Sequence, residues 1–229
     1  MRDPLPLMIF AAGFGTRMGK LTAARPKPLI QVLGRPLIDR ALDLADAAGC
    51  APIAVNTHYL GRMIADHLAG TGVRISDEAG PILETGGGLK KALPLLPGEA
   101  VMTLNPDAVW RGPNPLTALQ AAWDPVRMDA LLLVQAADRV KGRGATADFV
   151  MAPDGRIERA KGRDGVLYLG AQVIKSAPVA QWPEEVFSLN AVWDGMIAAG
   201  RAHAILWEDD WCDVGSPEGL AAAEALLAR

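Results

Sequence analysis

The chain has 229 residues; half are hydrophobic, 21% are charged, and the net charge is −3. Such a balance fills a globular core and, with no basic tail, argues against a nucleic-acid partner. The only two cysteines, Cys50 and Cys212, form no metal or redox pattern and suit a reduced cytoplasm, and no stretch approaches the ~18 apolar residues that span a membrane.

The apolar run at 7–12 has the length and bulk of a buried strand. Arg2 ahead of it gives the faint look of a secretory leader, but Pro6 interrupts the run and Arg17 follows closely, so a strand is expected. Gly13 and Gly15 then open a loop. Pro36 stands as a first helical residue for a stripe of Leu37, Ile38, Ala41, Leu42, Leu44 and Ala45 that stops at Gly49. Residues 52–55 read as a strand closing at Asn56, 60–68 as a helix and 73–76 as a third strand. This alternation predicts a parallel sheet covered by helices. At 86–88 three glycines in a row read as a loop ahead of a helix start, with free N–H groups turned to a ligand.

Residues 100–104 form a fourth strand, running straight into Asn105-Pro106-Asp107. A carboxylate at the carboxyl end of a central strand lies where open α/β sheets bind ligands. Asn114-Pro115 caps a helix over 116–123, and 130–134 is an unbroken apolar strand. A polar stretch at 137–149 follows, carrying Arg139, Lys141 and Arg143, and reads as a loop beside the site. Asp154-Gly155 marks a hairpin between 148–152 and 156–160, so the sheet is expected to be mixed. Residues 167–174 are a further strand with Gly170 inside it, a place of close approach. A helix at 188–199 ends at Gly200; a strand at 203–207 and a helix at 217–228 close the chain. No repeat and no linker interrupts this order, so one domain over 1–229 is expected.

The glycine loop carries the most specific signal. Between 7 and 29 stand four cations, Arg17, Lys20, Arg25 and Lys27, and no acid. A strand opening into such a loop is a place to hold phosphates. It is not a dinucleotide fingerprint, because Met18 stands where the third glycine belongs, and not a P-loop, because Leu21 follows Gly19-Lys20 and Phe14 precedes by five. The run FAAGFGTRMGKLT followed by PKPL resembles the signature of the sugar-1-phosphate nucleotidyltransferases (NDP-sugar pyrophosphorylases), with Phe10 in place of the usual leucine. LETGGG at 83–88, Asn105-x-Asp107 and Trp211-x-Asp213-Val214-Gly215 are similar to further motifs of that family. The ETGGG form and the compact length are closest to the uridylyltransferases acting on N-acetylmuramate 1-phosphate.

The resemblance implies a single-domain Rossmann-like three-layer α/β/α fold with a mixed, mainly parallel central sheet. It implies a nucleoside triphosphate, UTP by preference, joined to a sugar 1-phosphate with release of pyrophosphate, in cell-wall sugar recycling. Glucose-1-phosphate thymidylyl and mannose-1-phosphate guanylyl transfer are the nearest alternatives; a non-catalytic regulator of the same fold is a more distant one. Carried onto this chain, Arg17 and Lys27 are catalytic. Ala11, Ala12, Gly13, Gly15, Thr16, Thr85 and Gly86 bind the nucleotide together with them. Glu84, Gly87, Asn105, Asp148 and Gly170 contact the sugar phosphate, and Asp107 and Asp213 hold Mg²⁺. Pro106 stiffens the Asn-x-Asp turn, and 145–147 separate Gly144 from Asp148 where the family has Gly-Asp-Phe. A monomer or small homo-oligomer is expected.

Overall fold

In the computed structural model, residues 4–140 and 146–229 are described; Arg2, Lys141, Arg143 and Gly144 of the sequence reading lie outside them. The first strand, β1 (Leu7–Phe10), pairs in parallel with β4 (Ile53–Thr57) on one side and with β6 (Ala100–Leu104) on the other. It is an interior strand of the sheet, and Leu7, Met8 and Ile9 are fully buried. Its side chains alternate as a strand requires: Leu7 and Ile9 enter the core on one face, Met8 the core on the other. A strand covered on both faces reads as a continuous apolar run, which is why 7–10 shows no polar alternation.

Beyond β4 lies β5 (Arg74–Asp77), also parallel. On the other side β11 (Val166–Lys175) runs antiparallel to β6 and to β8 (Ala130–Ala136), and β12 (Ala202–Leu206) is parallel to β8. The hairpin of β9 (Phe149–Met151) and β10 (Ile157–Arg159) joins through β11. Among the described residues the sheet has nine strands and is mixed. Two small ribbons stand apart: β2 (Gln31–Val32) with β3 (Arg35–Pro36), and β7 (Ala108–Arg111) with β13 (Asp210–Asp213).

The helices cover both faces. From α1 (Leu37–Ala47), α2 (Gly61–His67) and α4 (Pro115–Ala122), residues Ile38, Ala41, Ile64, Leu116 and Leu119 enter one core. From α3 (Glu84–Ala92), α5 (Ser176–Ala180) and α6 (Leu189–Ala198), residues Leu89, Val179, Val192 and Trp193 enter the other. A third cluster joins Met18, Ile30 and Leu37 to Val109, Cys212 and Val214, beneath α7 (Pro217–Leu227). This is the Rossmann-like three-layer α/β/α arrangement. Side-chain caps set the starts of α4 and α7. Asn114 Oδ1 accepts from the N–H groups of Leu116 and Thr117, and Ser216 Oγ accepts from that of Gly219, each ahead of a proline.

Three local readings change. Pro36 pairs in the β2–β3 ribbon, and the helix begins at Leu37. Asp107 directly precedes β7 and Asp213 ends β13, strands that no alternation in the sequence marked. The three glycines at 86–88 are inside α3 and not in a loop before it. Glycine weakens a helix, so it persists there only where something presses close. A Cβ at Gly86 would lie 2.3 Å from the Phe187 ring, one at Gly87 2.0 Å from the Glu185 carbonyl oxygen, and one at Gly88 2.7 Å from Glu78 Oε1.

Candidate active site

A cleft of about 320 Å³ opens at the carboxyl ends of β1, β4 and β6, where open α/β sheets place their ligands. The loop after β1 forms one part of its lining: Ala11, Ala12, Gly13, Gly15, Thr16, Arg17 and, further on, Lys27. Gly15 adopts φ +64°, and a Cβ there would lie 2.9 Å from the Thr22 methyl and 3.0 Å from Lys27 Cβ. The loop folds back because Thr22, buried, donates its hydroxyl to the carbonyls of Gly15 (3.1 Å) and Gly19 (3.2 Å). Tyr59 reaches from the loop after β4, its hydroxyl donating to the Thr22 carbonyl at 3.0 Å. Thr22 and Tyr59 thus shape the glycine loop without lining the cleft.

Charges meet pairwise at this cleft. Lys27 Nζ lies 2.6 Å from Asp107 Oδ2, with both side chains largely sheltered. Arg17 Nη1 lies 3.9 Å from Asp213 Oδ2, the arginine mostly exposed and the aspartate buried. The two acids are brought together by the β7–β13 ribbon. Asp213 pairs with Ala108, and the Val214 N–H donates to the Asp107 carbonyl at 2.7 Å. Positions separated by nearly half of the chain therefore share one end of a ribbon. Gly215 keeps room beside them: a Cβ there would be 2.4 Å from Asp213 Oδ2 and 3.0 Å from Arg17 Nη1. That is a physical reason for the glycine of Asp-Val-Gly. Two carboxylates on one ribbon end are hard oxygen donors of the kind Mg²⁺ takes alongside water and phosphate. Among the described residues no group of three acids, histidines or cysteines forms a metal cluster, so any ion here would lean on the substrate for further ligands.

The remaining residues divide. Glu84, Thr85 and Asn105 line the cleft. Glu84 has φ +60°, an uncommon conformation for a residue with a side chain, and it opens α3. Gly86 and Gly87 do not line it. Their N–H groups both donate to the Phe187 carbonyl, at 2.8 and 3.1 Å, so the donors expected to face a ligand instead dock the 184–187 segment. The Ala11 N–H is also engaged, by Asn56 Oδ1 at 2.7 Å. Gly170, φ +86°, acts through a neighbour: its carbonyl accepts the Asn105 N–H at 2.8 Å, and a Cβ would be 2.9 Å from Asn105 Cβ. Asp148 accepts the Tyr168 N–H at 3.0 Å and borders a separate depression with Arg159 and Asp194. The structure does not bring it to the cleft. None of the three histidines lines the cleft: His67 meets Asp39, His58 holds the Gly80 carbonyl, and His203 is buried in β12.

Known proteins resemble this chain in sequence and in fold. The chain is 38% identical to N-acetylmuramate alpha-1-phosphate uridylyltransferase of Caulobacter vibrioides, covering 99% of this chain and 98% of that one. It is 32% identical to the protein of the same name from Neisseria meningitidis, with 96% of each covered. A crystal structure of UDP-glucose pyrophosphorylase with UDP-glucose superposes with a TM-score of 0.79 at 16% identity, covering 98% of each chain, and so shares the fold. A model of the MobA-like NTP transferase domain matches residues 7–211, and with these near full-length relatives it shows that the chain belongs to that family of nucleotidyltransferases.

Proposed function

We propose that the protein transfers a uridylyl group from UTP to N-acetylmuramic acid 1-phosphate, giving the UDP-sugar and pyrophosphate, with Mg²⁺, in the recycling of cell-wall sugar. The observation that carries this is the convergence of the glycine loop, Lys27, Arg17 and Asp107 on one cleft, with Asp213 buried behind its lining and paired to Arg17. The names of the two near full-length relatives supply the base and the sugar.

The reaction is attack of a sugar-phosphate oxygen on the α-phosphorus of the triphosphate, with pyrophosphate leaving in line. Both reactants are anions, so the protein's task is to hold them in line and offset their repulsion. Lys27 is a compact charge already oriented by Asp107, fit to sit against the α-phosphate. Arg17 is exposed and free to fork onto the departing pyrophosphate. Glu84 and Asn105 present polar groups for sugar hydroxyls. A sugar phosphate is already ionised at neutral pH, so no general base is required, and the absence of histidine from the cleft lining agrees. Asp107 and Asp213 would hold the Mg²⁺, which supplies neutralisation of phosphoryl charge when bound. Two free, buried cysteines and a nucleoside triphosphate donor support a cytoplasmic setting.

The test is pyrophosphate release by the purified protein across the common nucleoside triphosphates, each paired with N-acetylmuramic acid, glucose and mannose 1-phosphates. UTP with N-acetylmuramic acid 1-phosphate is expected to give the highest kcat/KM. A clear preference for dTTP with glucose 1-phosphate, or GTP with mannose 1-phosphate, overturns the assignment of substrates.

A further inference from the structure

The cleft contains a buried hydrogen-bonded pair to which the phosphate chemistry gives no task. Asn56 and Glu78 are 3% and 1% exposed, and both line the cleft. Asn56 Nδ2 donates to Glu78 Oε1 at 2.6 Å, while Asn56 Oδ1 accepts the Ala11 N–H at 2.7 Å. Glu78 Oε2 accepts the Leu83 N–H at 3.3 Å. Among the described residues Glu78 makes no salt bridge. A carboxyl group this deep, engaged only with an amide and a backbone N–H, is costly as a plain structural filler.

The pair has a fixed sense. Turning the Asn56 amide over would set its oxygen against the Glu78 carboxyl and its NH₂ against the Ala11 N–H, so Glu78 determines which end faces the loop. Ala11 is the residue at which the chain leaves β1, whose last residue, Phe10, pairs with Asn56 itself. The side chain thus takes the N–H that would otherwise continue the ladder and turns the chain into the glycine loop. At its other end the network holds Leu83, the residue before Glu84 and Thr85. Gly88 keeps the space open, since a Cβ there would be 2.7 Å from Glu78 Oε1 and 3.0 Å from Asn56 Nδ2.

We propose that Asn56, locked by Glu78, is a positioning residue for the nucleoside triphosphate. It fixes the departure of the 11–16 loop and ties that loop to the 83–85 turn, so that the two stretches that line the cleft keep one spacing. The inference rests on reading the cleft as a triphosphate site.

The experiment compares wild type with Asn56→Asp, Glu78→Gln and the double variant. Asn56→Asp still accepts the Ala11 N–H but sets two carboxyl groups against each other. Glu78→Gln alone leaves one of the two backbone N–H groups facing a donor. The double variant restores a matched pair with donor and acceptor exchanged. Calorimetric titration with UTP, or with whichever common triphosphate wild type binds, gives Kd; steady-state assays give KM for each substrate; melting curves report folding. Each single variant is expected to weaken triphosphate binding about tenfold, the worth of one lost hydrogen bond. The double variant should return to within about threefold of wild type. A merely structural pair would lower the melting temperature and leave Kd of the folded protein unchanged, and that result overturns the inference. So does a double variant no better than the singles. Should the Asn56→Asp chain not fold, Glu78→Gln and the double variant make the same comparison. A wild type that binds none of the triphosphates removes the underlying reading, and the inference falls with it.

Discussion

Lys27 and Asp107 stand 80 positions apart in the chain and meet at 2.6 Å, inside the cleft that the glycine loop opens. The lysine side chain is 12% exposed and the aspartate 29%, so the contact is sheltered enough for charge to matter. Lys27→Ala is expected to lower kcat by about 10²–10³, the usual cost of removing one preorganised charge from a reaction of this kind. Lys27→Arg should rescue little, because a planar fork does not replace a compact ammonium. Steady-state kinetics check this, with melting curves to show that the fold persists; wild-type turnover in Lys27→Ala refutes the role.

Chelation by EDTA should abolish pyrophosphate release, and added Mg²⁺ should restore it. Asp213→Asn should raise the Mg²⁺ concentration needed for half-maximal rate. Gly215→Ala should do the same without replacing either acid, since its methyl would press on Asp213 Oδ2. Mg²⁺ titrations of activity measure both; unaltered titrations in both variants would detach the metal from this ribbon.

Two glycines of the cleft region should behave oppositely when changed to alanine. Gly87 has the Glu185 carbonyl at 2.0 Å from where its Cβ would go, and backbone must move. Overpacking of that order costs about 1–3 kcal/mol, or about 2–12 °C in Tm for a chain of this size. Gly13 has nothing within 4 Å, so Gly13→Ala should leave Tm nearly unchanged while raising KM for the triphosphate. Thermal melts and substrate titrations on the two variants make the contrast.

Away from the cleft, Asp129 is gripped by Arg201 and Lys175, each at 2.8 Å. The Arg201 hydrogen bond, ahead of that from Lys175, holds its carboxyl below the usual carboxylate range. A folded value below the unfolded one stabilises the protein above about pH 4 and is lost as the pH falls through the folded value. Asp129→Asn should therefore lower Tm near neutrality and flatten the decline below pH 4, read from melting curves across that range.

Burial pushes the Cys50 thiol up to about 11. Thiol reagents near pH 8 should leave it unmodified in the native protein and label it after denaturation, as mass spectrometry would show.

Much of this was legible in the residues, and the failures have a common cause. The 7–10 run, the caps at Asn114 and Ser216 and the cationic loop are local signals, and the structure follows them. The glycines at 86–88 have a local reading as a loop, yet their reason is the approach of Phe187, Glu185 and Glu78 from distant sequence. Asn56 stands out in the sequence only as the close of a strand, and Glu78 not at all; the pairing of β1 with β4 puts Asn56 beside Ala11, and that of β4 with β5 brings Glu78 to Asn56. Asp148 is likewise placed by a contact from distant sequence, accepting the Tyr168 N–H away from the cleft.

The ribbon of β7 and β13 has a consequence for synthesis. The first acid emerges from the ribosome with the middle of the chain, but its companion arrives only with the final strand. Under the proposed assignment, a polypeptide that stops short of β13 would carry the glycine loop, Lys27 and Asp107 while lacking the second proposed metal ligand.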